Sequence, residues 1–192
     1  MQTGINLADA RVLLNKYIQQ ANNLNHSRES EVVMKALAER LGEDQESWSI
    51  AGLLHDLDWE LVQDDVNEHG VKVQELLRAE GAEEELISVI VSHVGGFTTK
   101  YPENKRSSKI EHALAAGETV TGLIYASALV NPEKKLEFVK VSSLRKKMKD
   151  KSFASKVNRD VIMECEQLGL TIDEFLEISL KSMQAISSEI GL

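Results

Sequence analysis

Apolar residues recur along this chain at steps of three and four, the spacing that lines one face of an α-helix. Leu7, Val12, Leu13, Leu14 and Ile18 predict a first helix near 6–22. Val32, Val33, Leu37 and Leu41 predict a second, ended by Gly42. Ile50, Leu53, Leu54 and Leu57 predict a third, and its near-continuous apolar surface implies deep burial. Val71, Val73, Leu76 and Leu77 mark a fourth, stopped near Gly81; Leu86, Ile87, Val89, Ile90 and Val91 mark a fifth, stopped by Gly95-Gly96. Ser108 with Glu111, and Thr171 with Glu174, have the three-residue spacing of a capping box. The first opens a helix running through Tyr125; the second opens one carrying Phe175, Leu176, Leu180, Met183 and Ile186. No stretch alternates with period two, and Phe97 to Ser107 is the longest loop candidate. The pattern predicts an all-α bundle of roughly eight or nine helices in a single domain, residues 1–192.

Composition narrows the function more than the fold. A chain of 192 residues, 42% apolar and 28% charged, can bury a core without staples. Its lone cysteine, Cys165, excludes an intrachain disulfide, so a reducing cytoplasm is the expected setting. The N-terminus has no basic segment followed by an apolar one, and no apolar run approaches the ~20 residues of a membrane span. Neither a secretory signal nor a membrane partner is expected. A net charge of -9 repels phosphodiester backbones, so no nucleic-acid polymer is expected either. One segment runs against that sign. Lys140 to Arg159 holds eight basic residues and one acid, +7, which leaves -16 on the rest. It reads as a solvated surface or as a clamp for an anionic substrate, with Lys140, Lys146 and Lys147 the candidates for phosphate.

The strongest chemical signal is His55-Asp56 at the end of the apolar run IAGLLHDLDW. Buried polar side chains must be satisfied, since leaving them unpaired costs several kcal/mol on typical scales. A divalent cation would satisfy both; a hydrogen-bonded pair without metal would do so equally well. Neighbouring helix positions point ~100° apart, so the doublet can share one ion only at a helix end or with partners from elsewhere. His26, His69, His93 and Glu118 are available partners, though each also has an ordinary reading as a cap, a surface residue or an ion pair. A set of imidazoles and carboxylates without thiolate favours Fe, Mn, Zn, Ni or Mg. His112, beside Glu111, reads as structural. No GxxxxGK[ST] and no GxGxxG after a strand is present, and Glu164 and Glu166 flank Cys165, which disfavours a thiolate nucleophile.

The order His26 … His55-Asp56 … Glu118 on a helical chain resembles the HD-domain metal-dependent phosphohydrolases, and AGLLHDLDWE looks like the motif that names that superfamily. The stretches ALAERLGED, EHGVKVQELL, ETVTGLIYASALV and KKMKDKSFASKVNRD are similar to one bacterial branch of uncharacterised HD-domain hydrolases. The resemblance implies a motif-bearing core at about 20–130 and a helical extension at about 131–192. It implies one ion on His26, His55, Asp56 and Glu118, and in two-metal members a second on His69 and His93. The late acid of the family is usually Asp; here it is the longer Glu118. The implied activity is hydrolysis of a small phosphorylated metabolite or nucleotide, with Asp56 at the reaction centre and Asp58 orienting a ligand or moving a proton. A metal-poor signalling or ligand-binding module, or a di-iron oxygenase, are the other readings. Oligomeric state is not encoded in these motifs.

Overall fold

A computed structural model of the chain describes residues 1–192. Ten α-helices and four short 3-10 segments are joined by turns, with no β-strand. The helices are α1 (Leu7–Tyr17), α2 (Ala21–Leu41), α3 (Gln45–Leu54), α4 (Val71–Ala79), α5 (Glu84–Ser92) and α6 (Lys109–Leu129), then α7 (Val141–Lys149), α8 (Arg159–Ile162), α9 (Ile172–Ala185) and α10 (Ser187–Ile190). The last few include two single turns, α8 and α10, which lie below the length that periodicity can detect. No helix is long and apolar enough to cross a membrane.

Most helix ends follow from local chemistry. Both capping boxes form, Ser108 with Glu111 and Thr171 with Glu174. Gly42 ends α2 in the left-handed region at φ 71°. One boundary differs from the sequence reading: the first helix stops at Tyr17, because Ile18 turns extended and is 1% exposed. Burying that side chain redirects the chain, and α2 begins three residues later.

A single cluster of buried apolar side chains runs through the bundle, from Ala10 on α1 to Ile190 on α10. Helices α2, α3 and α6 form its centre, and α9 closes it from the far side. Two glycines allow the close approach of these three helices. A Cβ on Gly52 would lie 2.5 Å from the Ser30 carbonyl oxygen, and one on Gly117 would lie 3.3 Å from Val33 Cγ1. The α2–α3 contact is therefore backbone-close, while α6 packs at Gly117 on α2 side chains, and the two contacts bring His26, His55 and Glu118 to one end of the bundle. Glu29 is the oddity of α2: it is 3% exposed, its Oε1 has no partner, and burial pushes its pKa up to about 8.

Candidate metal centre

The doublet sits where α3 ends. His55 is the C-cap of that helix and Asp56 lies in the turn beyond it, which frees both side chains from the helix ladder. His26 projects from the second turn of α2, and Glu118 from the middle of α6. His93 is the C-cap of α5, and His69 ends a 3-10 turn just before α4. The six residues are thus brought together from segments up to 92 positions apart.

The geometry turns on the imidazole nitrogens. Each Nδ1 is occupied by the protein. His55 Nδ1 donates to the Gly52 carbonyl at 2.8 Å and His93 Nδ1 to the Ile90 carbonyl at 2.5 Å. His69 Nδ1 donates to Asp58 Oδ1 at 2.7 Å. His26 Nδ1 meets Thr121 Oγ1 at 3.0 Å; that hydroxyl gives its own proton to the Glu118 carbonyl, so here it accepts. The free donor atoms are the four Nε2, and they converge in pairs: His26 and His55 at 3.1 Å, His69 and His93 at 3.1 Å. Two imidazole nitrogens so close are reconciled only by a shared proton or by a cation.

Asp56 lies between the pairs. Its Oδ2 is 3.4 Å from His55 Nε2 and 3.7 Å from His26 Nε2. Its Oδ1 is 3.3 Å from His93 Nε2 and 3.4 Å from His69 Nε2. Glu118 Oε2 completes the first side, 3.9 Å from His26 Nε2. Ligands about 2.1 Å from one ion stand roughly 3.0–3.5 Å from each other, so these separations suit coordination. His26, His55 and Glu118 offer ligand atoms within 4.8 Å of one another, and so do His55, Asp56 and His93. The donor set fits one or two divalent ions, with one carboxylate facing both sides.

Burial and mutual charge polarise the cluster. Burial pushes the His26 pKa down to about 4, with the charge of His55 acting the same way. Burial also opposes charge on His69, but hydrogen bonds to Asp56 and Asp58 outweigh it and raise its pKa to about 10. Burial raises the Glu118 carboxyl to about 7 against the pull of His55. Asp56 is held well below the usual carboxylate range, since His55, His69 and His93 overcome its desolvation. A cation bound at the Nε2 atoms would take the place of any proton there.

Asp58 is fully buried and does not line the cavity. Its carboxylate accepts from His69 Nδ1, from Gly70 N at 3.0 Å and from Val73 N at 2.9 Å. It is a positioning residue: it fixes the His69 ring and ties it to the start of α4.

The centre opens into a cavity of about 630 Å³. Trp59 and Phe97 flank His69, both edge-on, with ring centroids at 5.2 and 6.2 Å. Phe97 is 62% exposed, so a large apolar ring stands at the mouth. The opposite wall comes from the C-terminal extension, through Lys156, Val157, Asp160, Val161 and Glu164.

Lys140, Lys146 and Lys147 do not line the cavity. Leu144 of α7 is buried, Lys140 at the N-cap and Lys146 are exposed, and Lys147 packs over the Phe153 ring at 4.6 Å. The basic segment reaches the cavity through Lys156 instead. His112 is tied to Glu164 at 2.6 Å, as a structural residue would be. Sequence reasoning missed Thr121, Arg106, Trp59 and Lys156. Thr121 had a detectable signal, because it stands one helical turn after Glu118; the others owe their place to loops.

A buried cluster of imidazoles and carboxylates at the end of a helical bundle defines a metal-competent protein. The sequence profile of the HD domain matches residues 23–129, more than half of the chain, and the chain belongs to the HD-domain family. That family consists mostly of metal-dependent hydrolases. No curated protein and no solved structure matches the chain.

Proposed function

We propose that the chain is a metal-dependent phosphohydrolase acting on a small phosphorylated metabolite or nucleotide. One observation carries this reading: Asp56 stands between two imidazole pairs whose only free nitrogens face it. His26, His55, Asp56 and Glu118 would hold one divalent ion, and His69 and His93, with the other oxygen of Asp56, a second. Such ions supply an acidified water and polarisation of a phosphoryl oxygen.

The protein's own groups do the rest. Gly52, Ile90, Asp58 and Thr121 keep every Nδ1 occupied, so each imidazole presents Nε2. Burial of His55 and Asp58 excludes bulk water from the floor of the site. Trp59 and Phe97 offer an apolar wall beside the centre for the organic part of a substrate. The cavity volume suits a metabolite and not a polymer.

The test is elemental analysis of the purified chain, then a panel of phosphorylated metabolites and nucleotides with Mn, Ni, Mg or Fe. The expected result is bound transition metal and turnover with at least one metal, both lost in Asp56→Ala. Unchanged metal content in Asp56→Ala, or no metal-dependent hydrolysis anywhere in the panel, would overturn the reading. A chain that neither holds nor regains metal would instead be a ligand-binding module.

A further inference from the structure

The stretch between α7 and α8 is irregular, yet it is organised around one side chain. Arg159 Nη1 donates to the carbonyls of Ala154 and Val157, each at 2.6 Å. Its Nη2 donates to the carbonyls of Asp150 at 3.3 Å, Lys147 at 3.5 Å, and Phe153. Five backbone carbonyls therefore converge on a single guanidinium, whose planar fork can serve several acceptors at once. Ala154 is held at φ 44°, a left-handed conformation that a residue with a Cβ rarely adopts without such support. The wrap ends by placing Lys156 and Val157 in the cavity wall.

One arginine and one lysine line that cavity, and they differ. Arg106 is held by Glu164, through Nε at 2.9 Å and Nη2 at 2.5 Å, so its charge is compensated. The two asparagines of the wall are also committed: Asn104 to Glu164 and to Arg106 N, Asn158 to the first turn of α8. Lys156 has no hydrogen bond or ion pair with the protein. It is the one lysine or arginine of the cavity lining without a partner in the protein.

We propose that Lys156 binds a second anionic group of the substrate, a carboxylate or a further phosphate, and that Arg159 is the positioning residue that holds Lys156 in the wall. The proposal rests on the phosphohydrolase reading for the first anionic group, the one seated at the centre. The substrate class is then a small phosphoester with two separated acidic groups.

The test uses non-hydrolysable probes titrated into the Mn-loaded full chain by calorimetry. Propylphosphonate carries one acidic group; 3-phosphonopropionate adds a carboxylate, and propane-1,3-bisphosphonate adds a second phosphonate. The wild type is expected to prefer at least one doubly acidic probe by roughly tenfold, the size of one charge-assisted hydrogen bond. Which of the two it prefers identifies the second group. Lys156→Met keeps the apolar stem and should abolish the preference, with propylphosphonate affinity within about twofold of wild type. Arg159→Lys keeps the charge without the fork and should lose the same preference. A thermal melt reports whether that variant is folded; if it is not, Lys156→Met, at an exposed position, decides alone. A wild type without preference, or a Lys156→Met that retains it, overturns the proposal. Preserved preference with no hydrolysis of any phosphoester would overturn the enzyme reading and leave the subsite standing. Hydrolysis without a Lys156-dependent preference would do the reverse.

Discussion

Glu118 stands where the resemblance leads one to expect Asp, and its surroundings bear on how far the longer acid reaches. A Cβ on Gly117 would meet Val33, Met34 and Leu37 side chains of α2 at 3.3–3.6 Å, ordinary or slightly tight van der Waals distance. With α6 packed on α2 at this point, the reach of residue 118 towards His26 depends on its side-chain length. Thr119 donates to Glu118 Oε1, which leaves Oε2 as the oxygen facing His26. Glu118→Asp should therefore retract the carboxylate by one methylene and weaken metal affinity roughly tenfold or more, the loss typical when a ligand's support is disturbed. Calorimetric titration of the metal-free chain with Mn measures it. Undiminished affinity in Glu118→Asp would show that the extra methylene has no role in ligation.

At the scale of the helices, the centre depends on how closely α3 lies against α2. Gly52 carries two tasks: its missing side chain admits the Ser30 carbonyl, and its own carbonyl orients His55. A methyl at 52 would meet backbone at 2.5 Å, which no rotamer change relieves. Gly52→Ala is expected to destabilise by about 2–3 kcal/mol, despite the better helix propensity of alanine, and to lower metal content by shifting His55. Urea denaturation gives the first effect and elemental analysis the second. A variant as stable as wild type would mean that α3 has room to move. The glycine also illustrates what a sequence can convey. Periodicity announced α2, α3, α5 and α6, because each buries a stripe that only a helical repeat produces, and the boxes at Ser108 and Thr171 announced two starts. The His55-Asp56 doublet stood out because it is polar at the end of an apolar run. Lys156 did not, because its place comes from a loop wrapped on Arg159, and no spacing rule encodes that wrap. The lysines at α7 looked equivalent to it in charge; their place away from the cavity lining distinguishes them.

Across the whole molecule, the centre is assembled from α2, the end of α3, the end of α5, the approach to α4, and α6, so it is also a set of long-range cross-links. In the unfolded chain His26 and Glu118 lie 92 positions apart and share nothing, so an ion bound by both is bound almost only by the folded state. Linkage then requires that metal raise stability: at a free concentration one hundred times Kd the gain is about 2.7 kcal/mol. For a chain near this length each kcal/mol moves the thermal midpoint by about 2–4 °C, which gives an expected rise of roughly 5–10 °C on restoring Mn to the chelator-treated protein. Asp56→Ala serves as the control, because Asp56 alone faces both imidazole pairs. Its midpoint should be indifferent to chelator and to Mn. Equal midpoints for the metal-free and Mn-restored wild type would separate the six side chains from any shared ion. A rise of the same size in Asp56→Ala would place the stabilising ion elsewhere on the acidic surface. The comparison reads folding alone and needs no substrate, so it examines the centre independently of what the cavity accepts.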